Sequence, residues 1–325
     1  MIVIVGATAS GKTDLAVALA RTIGGEIVSA DSRQVYQEIS AGTAKPCRDR
    51  AGRVGGVPYH LVDCASLTET YDAGRFATAA RAVVAGINSR GLIPIVAGGS
   101  GLYVRAFLEG LSDLPPRDEG LRRRLEAEAL AHGRQHLHER LRRLDPEAAA
   151  AIPANNIQRV VRALEVCELT GHRISTLWKN DKEKLARVHL VPTAAFRIDW
   201  PADDLRRRIV QRAESMWPGM LAEVRGLLRS FTGREPGFKS LGYPEAVACV
   251  RGELGQEEGL RRLVQATCAY AKRQRTWFRH QIAATPLAGR NPQEMLREAL
   301  ALIAQGPSRT SNAQPLLPAS CRAKA

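Results

Sequence analysis

The sequence predicts an α/β fold, a parallel sheet core interrupted by an inserted, mainly helical domain. Three observations carry this. Short β-branched runs alternate with helical spacings from the amino terminus to Leu108, a glycine-rich loop joins the first strand to the first helix, and strand signals stop at Leu114-Pro115-Pro116, where helical ones begin.

The four β-branched residues Ile2 to Val5 read as a buried strand, Gly6 to Thr13 as a loop, and Asp14 to Ile23 as a helix closed by Gly24-Gly25. A second strand, Glu26 to Ala30, ends at Asp31. A third, Leu92 to Ala97, runs into Gly98-Gly99-Ser100-Gly101 and a helical stretch to Leu108. Helical spacing then recurs over Leu121 to Leu130, Gln135 to Leu144, and Asn156 to Leu169 before Gly171. The apolar segments Val188 to Val191 and Phe196 to Trp200 are expected to return to the sheet, followed by long helices from Asp203 and from Leu260. The expected division is a discontinuous core, residues 1–112 and 188–304, a helical insertion, 113–187, and a flexible tail, 305–325, rich in Pro, Ser and Ala. In such a sheet, ligands sit beyond the carboxyl ends of the strands. Asp31 and the Gly98 to Gly101 turn would therefore flank the first loop.

The balance of 45% apolar and 25% charged residues over 325 positions excludes collagen-like, coiled-coil and disulfide-scaffold chains. Lys and Arg outnumber Asp and Glu, 47 to 33, for a net charge of +14, so a polyanionic partner is expected. The six cysteines, Cys47, Cys64, Cys167, Cys249, Cys268 and Cys321, include no CxxC pair. Neither a zinc ribbon nor a disulfide framework is suggested, and a reduced, cytoplasmic compartment fits. No uncharged apolar stretch reaches the roughly 18–20 residues that span a bilayer, so the chain is expected to be neither secreted nor membrane-bound.

Gly6-Ala7-Thr8-Ala9-Ser10-Gly11-Lys12-Thr13 fits GxxxxGK[ST], in the strand–loop–helix setting its mechanism requires. The core is thus P-loop NTPase-like. Successive N–H groups form an anion nest, the helix N-terminus adds positive potential, Lys12 reaches terminal phosphates, and the Thr13 hydroxyl can ligate Mg²⁺. The motif reports a polyphosphate, not necessarily a nucleotide, since it touches only phosphate oxygens and metal. A small-molecule kinase is the default owner, but its acidic metal partner is not obvious here; Asp63, in Tyr59-His60-Leu61-Val62-Asp63, is the only rough stand-in. His60 and Asp63 could equally pair at a strand end.

Asp31 heads Ser32-Arg33-Gln34, where a carboxylate could act as a base or simply cap a turn. Arg206, Arg207, Arg208 and Arg212 open the helix begun at Asp203, and the i, i+4 spacing puts Arg208 and Arg212 on one face, a diphosphate clamp or a solvated basic surface. In Asn156 to Leu169, Ile157, Val160, Val161, Leu164 and Cys167 make an apolar face, with Gln158, Arg159 and Arg162 opposite. Arg122-Arg123-Arg124 and Arg140, Arg142 and Arg143 load the insertion with positive charge that nearby acids dilute, suited to tracking phosphates.

The phosphate loop and Asp31 to Gln34, taken with Gly42-Thr43-Ala44-Lys45-Pro46, Gly98-Gly-Ser-Gly-Leu-Tyr103, Gln158-Arg-Val-Val-Arg-Ala-Leu-Glu165, Lys239-Ser-Leu-Gly-Tyr243 and Lys272-Arg-Gln-Arg-Thr-Trp-Phe278, resemble the bacterial tRNA dimethylallyltransferase family over residues 2–280. Three departures show: Ala7 for a usual Pro, Ser100 for a usual Thr, and Tyr59 for a usual His. None removes a required charge or donor.

The resemblance implies transfer of a dimethylallyl group from dimethylallyl diphosphate to the exocyclic amine of the adenosine 3′ of the anticodon, with the tRNA anticodon stem-loop as partner. Such loops are commonly read as ATP-binding; here the diphosphate would be a substrate rather than an energy source. The implied roles are diphosphate binding for Gly6 to Thr13, with Mg²⁺ on Thr13; proton acceptance for Asp31; and leaving-group contact for Arg208 or Arg212, without a choice between them. Implied tRNA contacts are Asp31, Ser32, Arg33, Gln34, Ser100, Arg122, Gln158, Arg159, Val160, Val161, Arg162, Lys239, Gly242 and Tyr243. A monomer is expected. Three rivals keep the loop but not the RNA chemistry: a nucleoside kinase, a prenyltransferase acting on free adenine nucleotides, and an RNA-binding switch with no need of Asp31.

Overall fold

A computed structural model describes residues 1–181, 185, 186 and 188–306. The tail expected from 305 lies, apart from its first two residues, outside the described residues.

Two compact units are present. The first, Met1–Leu108 with the described residues from Leu190 onward, contains a seven-stranded sheet. Its strands are β1 (Ile2–Gly6), β2 (Gly25–Ser29), β3 (Arg53–Val54), β4 (Val57–His60), β5 (Ile93–Gly98), β6 (Ala194–Ile198) and β7 (Thr285–Leu287), in the order β3-β4-β2-β5-β1-β6-β7. Only β3–β4 is antiparallel.

The central strand shows why the sheet forms. All five residues of β1 are buried, and its side chains alternate between two cores. Val3 and Val5 enter a core shared with Val28, Val96, Phe76, Phe107 and Phe278, while Ile2 and Ile4 enter one shared with Leu15, Leu19, Ile95 and Phe196. A strand buried on both faces needs a continuous apolar run, as IVIV supplies.

The second of these cores lies under α1 (Lys12–Ile23) and α12 (Pro292–Ala304). The first is covered by α2 (Ala73–Ser89), α3 (Gly101–Glu109), α9 (Ala202–Leu227), α10 (Tyr243–Val250) and α11 (Gln256–Gln281). Asp72 caps α2 by accepting from the Arg75 N–H.

The second unit, Glu109–His189 among the described residues, holds α4 (Glu119–His132), α5 (Arg134–Leu144), α6 (Pro146–Ala151), α7 (Ile157–Thr170) and α8 (Ile174–Asn180). They pack around Leu125, Leu137, Leu141, Val160, Val161, Leu164 and Ile174. Glu165 is fully buried and accepts from the Asp118 N–H (2.7 Å), Arg162 (2.7 Å) and Arg122 (3.3 Å).

One expected strand does not form. Residues 188–191 are irregular; the Leu190 N–H bonds to the Leu108 carbonyl at 2.7 Å, and Val191 is 81% exposed. The run is only four residues long, and Pro192 follows it directly, removing a ladder donor. Phe196 does enter the sheet, within β6, in register with Ile4 of β1. No described helix is long and apolar enough to cross a membrane, and the five described cysteines are free thiols.

Candidate active site

The phosphate loop lies at the carboxyl end of β1. A Cβ on Gly6 would come within 2.9 Å of the Ile198 carbonyl of β6, so the first loop position must be glycine. Ala9 (φ 61°) and Gly11 (φ 88°) adopt left-handed geometry, which turns the loop amides inward. Gly11 caps α1 with no side-chain acceptor, and the first bond into the helix runs from the Leu15 N–H to the Gly11 carbonyl. The leading amides of α1 are therefore left for an anion. Ser10 Oγ, buried in the same loop, has no hydrogen-bond partner among the described residues.

Lys12 donates to the Ala7 carbonyl at 2.6 Å. Burial pushes its ammonium down to about 8, with Arg212 acting in the same direction and Asp31 opposing. Arg212, on α9, donates to Thr8 Oγ1 (3.4 Å) and to Met216 Sδ (3.3 Å). Its guanidinium is likewise pulled below its ordinary value by burial, against Asp31. One turn earlier, Arg208 donates to the Ala9 carbonyl (2.8 Å) and lies 4.5 Å over the Trp200 ring, whose Nε1–H donates to the Ser10 carbonyl (2.9 Å). Both arginines thus face the loop from one side of α9, as their spacing requires.

Across the cleft, Asp31 Oδ1 accepts from the Arg33 N–H at 3.0 Å. The turn-capping alternative is therefore realised, and the same carboxylate also reaches Lys12 and Arg212 electrostatically. Ser100 Oγ accepts from the Ser32 N–H (2.8 Å) and donates to Ser32 Oγ (3.0 Å), locking the glycine turn to the Asp31 turn. Arg33 stacks over Tyr270 at 4.3 Å. Gln34 is 6% exposed, its amide committed to Ser29, Ala44 and Thr43.

Thr8 to Thr13 of the loop, Asp31, Arg33, Gln34, Gly98, Gly99, Arg208 and Arg212 all line one cleft of about 520 Å³. Ser100 and Ser32 buttress its rim. Lys239 is exposed on the same unit, whereas Gly242 and Tyr243 are buried. The Tyr243 hydroxyl donates to Glu223 (2.7 Å) and accepts from the Gly42 N–H (3.0 Å), so its side chain is core, not an RNA-facing group. Val160 and Val161, at 0% and 1% exposure, are likewise core of the second unit; an amphipathic helix puts apolar positions inward. On α7 Gln158 and Arg159 are exposed, while Arg162, with Arg122 of α4, neutralises Glu165.

Asp63 is not a metal partner of the loop. It pairs with Lys45 at 2.5 Å and with Arg48, and His60 pairs with Glu26 at 2.7 Å. Both are strand-end ion pairs. Among the described residues no three His, Cys, Asp or Glu side chains cluster to hold a metal. The donor set fits instead a hard cation that arrives on phosphate oxygens, keeps waters and takes one or two protein oxygens. The Thr13 hydroxyl, with Asp14 and Asp31 also in the cleft wall, could supply them.

Cleft residues given no role from sequence include Gln274 and Tyr270. Gln274 Oε1 accepts from the Thr8 N–H (2.9 Å) and its Nε2–H donates to the Gly99 carbonyl (2.8 Å), tying the phosphate loop to the glycine turn. A signal existed. Ala271, Gln274 and Phe278 recur at i, i+3, i+7, an inward stripe that places a glutamine among core positions.

A phosphate loop opposed by a carboxylate, at the carboxyl edge of a mostly parallel sheet, defines a protein of the P-loop NTPase-like class. The sequence matches the IPP transferase family over residues 34–281 and an isopentenyl transferase family over residues 1–54. The chain belongs to the IPP transferase family. It is 47% identical over 282 residues to the tRNA dimethylallyltransferase of an Anaeromyxobacter species, covering 86% of this chain and 92% of that one. It is 43% identical over 281 residues to the tRNA dimethylallyltransferase of Elusimicrobium minutum, covering 85% and 90%. Among solved structures it resembles the full-length tRNA isopentenylpyrophosphate transferase of Bacillus halodurans, with a TM-score of 0.65, 33% identity, and coverage of 94% and 95%.

Proposed function

We propose that this protein transfers a dimethylallyl group from dimethylallyl diphosphate to the exocyclic amine of the adenosine 3′-adjacent to the anticodon of a tRNA. The observation that carries the reading is the placement of Asp31 in the same cleft as the anion nest. Amine prenylation needs both a leaving-group site and a proton acceptor, and the cleft offers both; a kinase could use the same carboxylate as a base, so the family match and the choice of acceptor are what separate the two readings.

Duplex RNA hides its bases, so the target must leave the stack to react. In the reaction the amine nitrogen bonds to the allylic carbon, the bond from that carbon to the bridging diphosphate oxygen breaks, and the amine proton passes to Asp31. Lys12, Arg212 and the loop amides stabilise the charge that gathers on the departing diphosphate, and such preorganised donors commonly form the largest catalytic contribution. Prenyl-diphosphate chemistry ordinarily employs a divalent cation; Mg²⁺ on Thr13 would add charge neutralisation of the leaving group when bound. Arg208, bonded to the loop carbonyl of Ala9 and stacked on Trp200, holds the loop's shape, and Arg212 is the better placed for direct contact.

Arg33, the backbone at Ser32 and Ser100, the exposed Lys239, Gln158 and Arg159, and the half-buried Arg122 are proposed to hold the anticodon stem-loop. Cytoplasmic location and a monomeric state belong to the same proposal. The test incubates the protein with Mg²⁺, dimethylallyl diphosphate and either unmodified anticodon stem-loop or AMP, and weighs the adenine. A gain of one dimethylallyl group on RNA alone is expected. Prenylated AMP selects the free-nucleotide rival, and ATP consumption with neither acceptor modified selects the kinase.

A further inference from the structure

Glu223 of α9 and Tyr243 at the start of α10 have no part in the chemistry above, yet both hold the segment 40–44. Glu223 Oε2 accepts from the Ser40 N–H (2.8 Å) and the Ala41 N–H (3.1 Å). Its Oε1 accepts from the Tyr243 hydroxyl (2.7 Å), which itself accepts from the Gly42 N–H (3.0 Å). Three successive backbone donors thus end on one carboxylate and on the phenol it anchors. A Cβ on Gly42 would come within 2.7 Å of the Tyr243 ring, so the backbone lies directly against that ring.

The far end of the segment is cleft wall: Thr43 and Ala44 line the cleft with Ser29, Asp31 and Gln34. Gln34 Nε2 donates to the Ala44 carbonyl (3.2 Å) and faces that of Thr43 (3.5 Å), while Ser29 Oγ donates to Gln34 Oε1 (3.0 Å). Ala44 is left-handed (φ 47°), a conformation that a residue with a Cβ keeps only where its surroundings enforce it. Here the enforcement comes from both sides, through the three amides on Glu223 and Tyr243 and through Lys45, which pairs with Asp63 at 2.5 Å. The diphosphate end is held separately, with Lys12 bonded to Ala7, Arg208 to Ala9 and Arg212 to Thr8.

We propose that Glu223, acting with Tyr243, is a positioning residue: it fixes the wall of Thr43, Ala44 and Gln34 against which the acceptor adenine is held at Asp31, and leaves the diphosphate end of the cleft untouched. The proposal rests on the prenyl-transfer reading above. Without the carboxylate the amides of 40 and 41 lose their acceptor, the segment lifts from the Tyr243 ring, and the carbonyls that aim Gln34 move with it. A shift of about 1 Å from a group remote from the chemistry can cost about 10²-fold in rate, because the reacting atoms no longer meet in line.

The test compares the full-length parent with E223A, E223Q and Y243F by three readings: single-turnover prenylation of an anticodon stem-loop at saturating donor, calorimetric affinity for inorganic diphosphate, and hydrogen exchange of the amides of 40–42. E223A and Y243F are expected to prenylate about 10- to 100-fold more slowly, to exchange faster at those amides, and to bind diphosphate as the parent does. E223Q, whose amide oxygen can still accept from Ser40 and Ala41, should lie between E223A and the parent. If E223A fails to fold, Y243F, which removes a single oxygen and keeps the ring, decides by the same criterion. Parental rates in the folded variants, or diphosphate affinity that falls in step with rate, overturn the role of Glu223 while the prenyl-transfer reading stands. A parent that leaves the stem-loop unmodified removes that reading, and the inference with it.

Discussion

Replacing Asp31 with asparagine isolates the carboxylate's chemistry from its structural part. The amide oxygen can still accept the 3.0 Å bond from the Arg33 N–H, so the turn should survive with little change in shape. What disappears is a base and a negative charge facing Lys12 and Arg212. General-base catalysis contributes about 10²–10⁴-fold, which converts to about 3–5 kcal/mol of barrier. The charge acts oppositely on the ground state: without Asp31 the bound diphosphate loses a like-charged neighbour, and its affinity should hold or rise. Lys12 also loses the carboxylate that opposes its downward shift to about 8, so the two proteins are compared below neutral pH, where the ammonium is kept in both. Single-turnover prenylation of an anticodon stem-loop should therefore fall 10²-fold or more as an order of magnitude, while calorimetry shows inorganic diphosphate bound at least as tightly. Turnover close to the parent's, or loss of diphosphate binding in step with turnover, refutes the assignment of Asp31 as proton acceptor.

Lys12 makes diphosphate binding pH-dependent: the ammonium is the anion-binding form, so affinity should fall as pH rises through about 8, and K12R should flatten that fall; a parent profile with no break there is the contrary result. Gln274→Leu strands the Thr8 N–H and the Gly99 carbonyl, each costing about 1–3 kcal/mol, and should lower both the denaturation midpoint and diphosphate affinity; loss of neither contradicts the tie between loop and turn. Glu165→Ala leaves Arg122 and Arg162 without their buried partner, an expected loss of about 3–5 kcal/mol read by chemical denaturation, with E165Q milder because it retains an acceptor.

What the sequence disclosed followed from local periodicity and from one motif. Ile2 to Val5, Gly6 to Thr13 and the helix after them were legible because strand, turn and helix each carry their own short-range signal, and Asp31 could be placed beside them because parallel strands end at a common edge. The limits have the same origin. Val188 to Val191 is apolar enough for a strand, but strand pairing is decided by neighbours far along the chain, and Pro192 stops it. The two-to-four-residue strands β3, β4 and β7 are too short to show a period and exist because the sheet offers them an edge. At the site, charge drew attention to Arg208 and Arg212, whereas Gln274 is an ordinary residue type whose importance comes from which backbone groups it meets. Val160, Val161 and Tyr243 err the other way: a block of residues resembling an RNA-contacting segment includes the side chains that pack it.

The most direct measurement is a crystal structure with an unreactive dimethylallyl thiodiphosphate and an anticodon stem-loop bound together. The expected density places the diphosphate on the amides of Gly6 to Thr13 against Lys12 and Arg212, with the allylic carbon between that site and an extruded adenine whose amine meets Asp31. Donor density outside the loop, or an adenine amine turned away from Asp31, contradicts the assignment.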